Sequence, residues 1–345
     1  MFERLIDQLR KNTFLEKKEY KLLIENRQEC ADYLFENARQ VRDSVYGNRV
    51  YIRGLIEISN HCKNDCLYCG IRRSNRNLAR YRLYEDDILN CVKQGYELGF
   101  RTFVLQGGED AYYNDDMLCT VLREIKSLFP DCAVTLSLGE RSFESYQKLK
   151  AAGVDRYLLR HETAAKHHYE RLHPPDMSFE HRVQCLKNLK SLGYQTGAGF
   201  MVGSPYQTAD DLAGEFMFLK AILPEMVGIG PFVPHCDTPF GGFKAGTAEL
   251  TLFMLALIRL TLPHALLPAT TALATVDGRG HENGMHAGAN VIMPNLTPEN
   301  EREKYTLYNN KAHTGAESAE GLALLKQQMS RAGYEIVADR GDYRP

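Results

Sequence analysis

From Val50 onward the chain alternates short β-rich runs with amphipathic helical stretches. That alternation restricts the fold to βαβ units on a parallel sheet. The β-rich runs are Val50–Ser59, Thr102–Gln106, Ala133–Leu138, Arg156–Arg160, Gln195–Val202, Met226–Val233, a strand within Ala265–Val276, and Asn290–Pro294. Helical spacing of apolar residues predicts helices over Glu85–Leu98, Asp115–Leu128, Ser142–Ala152, Phe179–Leu192, Ala209–Leu223 and Ala248–Leu262. The seventh connection, near Gly278–His286, is short and Gly-rich, and a last helix near Ser318–Ala332 follows the eighth run. Eight such units predict closure into an α/β barrel of the TIM type, (β/α)8. An open doubly wound sheet is the alternative that the same pattern allows.

The first 47 residues read as helix, with Leu5, Ile6 and Leu9 at helical spacing and Tyr20, Leu22 and Leu23 opening a second segment. The predicted organisation is an N-terminal helical extension over 1–47 and a barrel domain over 48–345 that includes a C-terminal helix. Neither an internal repeat nor a linker long enough to divide the chain is visible.

A closed barrel carries its chemistry at the C-terminal ends of its strands. Polar clusters fall there: Gln106-Gly-Gly-Glu-Asp110, Ser137-Leu-Gly-Glu140, Arg160-His-Glu-Thr163 and Pro234-His235, with Thr270-Thr271 inside the seventh run. Directly after the first strand comes Asn60-His-Cys62-Lys-Asn-Asp-Cys66-Leu-Tyr68-Cys69-Gly70.

Charge and hydropathy narrow the setting. Forty-two basic residues against 44 acidic give a net charge of −2, so no overall field favours nucleic acid or anionic lipid. No apolar run reaches the roughly 18 residues that a membrane span needs. The charged N-terminus lacks the apolar core of a signal peptide, which predicts a cytoplasmic protein. In a reducing compartment a tight cysteine group points to metal binding or catalysis. Of nine cysteines, Cys62, Cys66 and Cys69 are grouped, and Cys30, Cys91, Cys119, Cys132, Cys185 and Cys236 stand singly.

The spacing is C-x3-C-x2-C. Thiolates are soft ligands that suit iron–sulfur clusters and zinc. Three thiolates on one loop grip three corners of a 4Fe–4S cube and leave the fourth iron open to a small chelating molecule. A zinc site is the alternative. Structural zinc wants four protein ligands, and His61 is adjacent to Cys62 and badly placed to join the same tetrahedron.

C-x3-C-x-aromatic-C, with Tyr68 as the aromatic, resembles the radical S-adenosylmethionine (SAM) superfamily. Gly107-Gly108-Glu109 stands where that superfamily has a Gly-Gly-Glu segment near the SAM amino group. The wider text is similar to the HydE-type maturases of the FeFe-hydrogenase active-site cluster from about residue 48 to 308. It includes Arg53-Gly-Leu-Ile-Glu-Ile-Ser-Asn60, Thr135-Leu-Ser-Leu-Gly-Glu140, Tyr157-Leu-Leu-Arg-His-Glu-Thr163, Gly197-Ala-Gly199, Met226-Val-Gly-Ile-Gly-Pro-Phe232, Pro268-Ala-Thr-Thr271 and Ala289-Asn-Val-Ile-Met-Pro-Asn295.

The resemblance implies reductive cleavage of SAM to methionine and a 5′-deoxyadenosyl radical inside a water-excluding barrel. It implies Cys62, Cys66 and Cys69 as metal ligands. It implies Tyr68, Gly107, Gly108, Glu109, Ser137, Arg160, Glu162, Arg182 and Met201 around SAM. Arg182 would pair with the methionine carboxylate as a bidentate donor. Arg160 and Glu162 would instead satisfy each other if their role were structural. Gly197 and Gly199 serve either ligand approach or tight strand packing. The substrate positions implied are Arg53, Gln106, Thr135, Thr270, Thr271, Met293, Tyr305 and Tyr308. For the threonines the plain alternative is β-propensity, and for Met293 and the tyrosines it is core packing.

The family's proposed substrate is a cysteine-ligated iron complex carrying CO and cyanide. Reduced ferredoxin or flavodoxin would supply the electron, and other hydrogenase maturation proteins would be partners. Some HydE proteins hold a second cluster on three C-terminal cysteines. This chain has no cysteine after Cys236, so one cluster is expected. Biotin synthase needs a second cluster held at several strand ends, which here carry Gln106, Ser137 and Met201. A methylornithine synthase-like mutase and a non-catalytic iron–sulfur scaffold are the remaining alternatives.

Overall fold

The computed structural model describes residues 1–312 and 315–345. The first barrel strand comes in two pieces, Arg49–Ile52 and Gly54–Ser59. Gly54–Ser59 begins a six-stranded parallel sheet that continues through Thr102–Gly107, Ala133–Ser137, Arg156–Leu158, Gln195–Ala198 and Met226–Val227. Parallel bridges carry it onward, from Met226 to Leu266 and from Pro268 to Val291. Val291–Ile292 pairs in parallel with Tyr51 and Ile52, and Asn295 bridges Leu55. The sheet thus returns to its own first strand. The barrel is closed, and the open-sheet alternative falls.

Capping side chains start most of the returning helices. Asn114, Ser142, Ser178, Thr208 and Thr247 each accept a hydrogen bond from the backbone N–H three residues on. That satisfies a donor the helix itself leaves unpaired. The helix Asp115–Leu128 shows the packing rule: Leu118, Val121, Leu122 and Ile125 are buried, at the spacing of a single helical face.

Three local expectations change. The seventh run is not an extended strand. Only Leu266 and Pro268 bridge their neighbours, and Thr271–Val276 is a short helix with Thr270 as its cap. The Gly-rich seventh connection holds a second short helix, Gly280–His286. A helix at Lys166–Leu172 and a strand at Glu335–Val337 were not foreseen.

The N-terminal helices Phe2–Asn12, Lys17–Glu25 and Ala31–Tyr46 pack onto the outer helices of the barrel. Tyr20 stacks on Phe216 at 4.1 Å, and its hydroxyl bonds Thr261 at 2.9 Å. The last residues close the opposite end. Glu335–Val337 pairs with Arg49–Tyr51, and fully buried Arg156 donates to Asp342 at 2.6 Å and to the Arg340 carbonyl at 2.9 Å. The barrel is therefore plugged at the N-terminal end of its strands. The cavity beside the cysteine loop lies at the other, C-terminal end.

Candidate active site

At that end lies a cavity of about 280 Å³. Cys62, Cys66 and Cys69 form one wall of it. Their loop is held by backbone contacts rather than by regular structure. Lys63 N donates to Glu109 O at 2.9 Å, Leu67 N to Leu172 O at 3.0 Å and Gly70 N to Leu307 O at 2.8 Å. Arg80 reaches underneath and donates to the carbonyls of Asn60, Ile71, Arg72 and Asn75. Asn60 ties the loop to the chain beyond the eighth strand through the Lys304 carbonyl at 2.8 Å.

The donor set bears on the choice of metal. Three thiols on one loop leave a single tetrahedral structural ion one protein ligand short, whereas a larger centre held at three points uses all of them. Burial pushes all three thiols up, Cys69 to about 12, and the charges of neighbouring thiolates and of Glu162 add to the effect on Cys66 and Cys69, against the opposing pull of Arg182 and Arg80. Ionising all three together requires positive charge among them, which iron would supply.

Gly108 and Gly139 shape the next wall. A Cβ on Gly108 would lie 2.1 Å from the His61 carbonyl and 2.7 Å from Cys62 Cβ. Gly108 is what lets the second strand end against the cysteine loop. Gly139 has φ +73°, and a Cβ there would sit 2.0 Å from the Glu109 side chain. Glu109 fills this space, with Oε1 accepting from Glu140 N at 3.1 Å and Oε2 facing Lys63 Nζ at 3.0 Å.

Opposite the thiols stand three charged residues. Arg160 Nη2 is 3.0 Å from Glu162 Oε2, while Arg160 Nε has no partner among the described residues. Glu162 takes φ +66°, a left-handed conformation costly for a non-glycine residue and frequent at functional sites. Arg182 is buried on the helix Phe179–Ser191, ion-paired with Glu140, and donates to the Arg160 carbonyl at 2.7 Å. Although burial opposes it, the carboxylates of Glu140 and Glu109 hold its pKa above the ordinary value. Tyr68 OH meets His173 Nε2 at 3.2 Å. His173 Nδ1 lies 2.9 Å from the Tyr169 carbonyl, which assigns the proton to Nδ1 and the acceptor role to Nε2. Burial pulls His173 down to about 3, so it is neutral at pH 7.

Most of the residues singled out from the sequence meet here. Tyr68, Gln106, Gly107, Gly108, Glu109, Ser137, Arg160, Glu162, Arg182, Met201, Thr270, Tyr305 and Tyr308 line the same cavity as the thiols. Four do not. Thr271 donates to Glu317 at 2.7 Å, because it belongs to the short helix and not to a strand. Thr135 shares the face of Ser137 but sits one pleat lower, with its hydroxyl unpartnered among the described residues. Met293 packs in a separate apolar group around Met226 and Val291. Arg53 lies near the barrel floor. Its Nη1 is 3.0 Å from Met226 Sδ, and Nε and Nη2 have no partner among the described residues. Gly197 and Gly199 serve close packing, since a Cβ on Gly199 would lie 2.0 Å from the Gly228 carbonyl.

Glu140, His173 and Arg80 belong to this site, and sequence reasoning gave them no role. Glu140 ended a polar strand tip already noted. The other two carry no spacing signal, because their partners are distant in the chain.

A family model described as the Radical SAM superfamily matches residues 56–219. The FeFe-hydrogenase maturase subunit HydE of Thermotoga maritima is 51% identical over 278 residues, covering 81% of this chain and 79% of that protein. The 3-methylornithine synthase of Methanosarcina acetivorans is 29% identical over 293 residues, covering 84% of this chain and 81% of that protein. Among solved structures, methylornithine synthase (PylB) superposes with a TM-score of 0.85 at 24% identity, covering 96% of this chain and 97% of its own. That last likeness speaks to fold.

Proposed function

The chain belongs to the radical SAM superfamily, among relatives of the HydE-type maturases, and from that premise we propose how its residues divide the work. The family implies a 4Fe–4S cluster and SAM, which together supply a 5′-deoxyadenosyl radical. Cys62, Cys66 and Cys69 are the cluster ligands in this reading, and one cluster serves the chain, since no cysteine follows Cys236. Gly107, Gly108 and Glu109 receive the amino group of SAM. Arg182, held rigid by Glu140 and the Arg160 carbonyl, faces its carboxylate. Glu162 and the unpartnered Arg160 Nε orient the ribose and carboxylate side. Tyr68, Ser137 and Met201 complete the wall.

The substrate in this reading is the one that HydE-type maturases take, a cysteine-ligated iron complex with CO and cyanide. Gln106, Thr270, Tyr305 and Tyr308 form its upper contacts. Arg53, Thr135, Met293 and Thr271 lie outside the cavity wall, and of these only Arg53 and Thr135 keep a role. They present unpartnered donors deeper in the barrel, which suits an electron-rich ligand set. The plugged floor keeps water from entering behind the substrate.

The observation that carries this reading is the meeting of the thiol loop, the Gly-Gly-Glu strand end, Glu162 and Arg182 in one cavity. No comparable observation favours the mutase alternative, whose solved relative speaks only to fold. We further place the protein in the cytoplasm, with a low-potential ferredoxin or flavodoxin as electron donor and other maturation proteins as partners. No helix of the described residues is long and apolar enough to cross a membrane.

The test is anaerobic. Cluster-loaded protein with dithionite and SAM is expected to yield 5′-deoxyadenosine and methionine, and to consume a synthetic iron–cysteine–dicarbonyl–cyanide complex when it is added. Fully loaded protein that forms no 5′-deoxyadenosine would instead support the scaffold alternative.

A further inference from the structure

The cysteine loop has a second face. Cys62 lines the inner cavity and also an outer recess of about 290 Å³. That recess is bounded by His61, Lys63, Arg73, Arg80, Arg82, Glu109 and Asp110. Its charge is uneven. Arg82 is paired with Asp110 at 2.7 Å, and Lys63 faces Glu109 at 3.0 Å. Arg80 donates only to backbone carbonyls, and neither it nor exposed Arg73 has a carboxylate within 4.0 Å among the described residues. Exposed Arg76 follows on the same loop, likewise without a carboxylate partner.

The sequence concentrates this charge. Residues 61–82 hold six cations, Lys63, Arg72, Arg73, Arg76, Arg80 and Arg82, against Asp65; Glu109, Asp65 and Asp110 pair with Lys63, Arg72 and Arg82, which leaves Arg73, Arg76 and Arg80 as the charge excess. The whole chain has a net charge of −2. A basic patch on a slightly acidic protein steers an acidic partner and suppresses wrong ones. Here the patch surrounds the outward side of a proposed cluster ligand, while the inward side faces the cavity proposed for SAM and substrate.

We propose that the recess around Lys63, Arg73 and Arg80 is the docking surface for a small acidic ferredoxin, which delivers one electron through the Cys62 side of the loop. In the step one electron leaves the reduced ferredoxin and one enters the cluster; no proton or group moves. The surface rests on the reading of Cys62 as a cluster ligand. Its electrostatic claim is independent of what the reduced enzyme then does.

The test uses cluster-loaded enzyme and the paired substitution Arg73→Glu with Arg76→Glu, neither residue being part of the inner cavity. Binding of purified acidic ferredoxin is measured directly by fluorescence or calorimetry across ionic strength. Ferredoxin-driven reduction of the cluster is followed by absorbance bleaching, and dithionite-driven SAM cleavage runs beside it. The pair is expected to weaken ferredoxin binding and slow reduction by about ten- to a hundredfold at low salt. The gap should close as salt rises beyond ~0.15 M. Dithionite-driven cleavage should equal that of the parent. Unchanged binding and unchanged ferredoxin-driven reduction would overturn the surface, as would equal damage to the dithionite reaction. A parent that binds ferredoxin but forms no 5′-deoxyadenosine with dithionite would overturn the functional reading and leave the surface standing.

Discussion

Two kinds of residue carry the site: those that hold and those that leave room. Cys69 lines the inner cavity beside Cys62 and Cys66 and is one of the three proposed ligands. Cys69→Ala is expected to abolish iron and sulfide loading and all SAM cleavage, read by metal analysis and by 5′-deoxyadenosine. Activity equal to the parent would remove it from the ligand set. Gly108 leaves room. Gly108→Ala forces a methyl into the His61 carbonyl, an overpacking cost of about 1–3 kcal/mol. It is expected to lower thermal stability and cluster occupancy together. Arg53 behaves differently from both. Desolvation and the charge of Arg156 hold its pKa well below the ordinary arginine value. A buried guanidinium with two unpartnered nitrogens destabilises the fold it sits in. Arg53→Met should therefore retain the cluster, melt at the same temperature or higher, and lose turnover of the iron complex. A variant that melts lower and turns over normally would make Arg53 a structural residue.

At the level of elements, legibility followed periodicity and caps. The helix Asp115–Leu128 was visible because its apolar face recurs at helical spacing behind an Asn cap. Thr270–Val276 was misread because a threonine-rich, β-branched run imitates a strand. The deciding signal was local: the Thr270 side chain accepts from Leu273 N, a capping bond. That single error also misplaced Thr271. The site itself was legible where it lay at strand ends, as with Gln106–Glu109 and Ser137. Alternation could not give the depth of Arg53, because strand one is interrupted at that residue. The terminal segment carried no signal at all, since its role is to satisfy Arg156. Burial works against the Asp342 carboxylate, but the hydrogen bond from Arg340 and the charge of Arg156 draw it down to about 2. This pair therefore stabilises the fold fully above about pH 3.8 and loses its contribution as pH falls toward 2. Asp342→Asn is expected to cost about 1–2 kcal/mol at pH 7, discounted because Asp342 is partly solvated. It should also flatten the acid side of a melting-temperature profile between those two pH values. A profile parallel to the parent's would deny the plug its electrostatic part.

For the whole molecule, closure is the property on which function depends. A barrel plugged by its own C-terminus and roofed by the cysteine loop and residues 304–309 offers one chamber with chemistry on its mouth side. The N-terminal helices share its apolar core and brace the outer layer; Ile6, Leu9, Leu23 and Leu34 are buried together with barrel residues. The molecule thus separates an enclosed inner face of the thiol loop from a charged outer one.

Electron paramagnetic resonance of anaerobically reconstituted, dithionite-reduced protein, recorded with and without SAM, tests the central claim most directly. A reduced 4Fe–4S signal whose g-values shift on adding SAM is the predicted result, since SAM would take the corner that Cys62, Cys66 and Cys69 leave open. A spectrum indifferent to SAM, or metal analysis giving one zinc per chain and no cluster, would contradict the account.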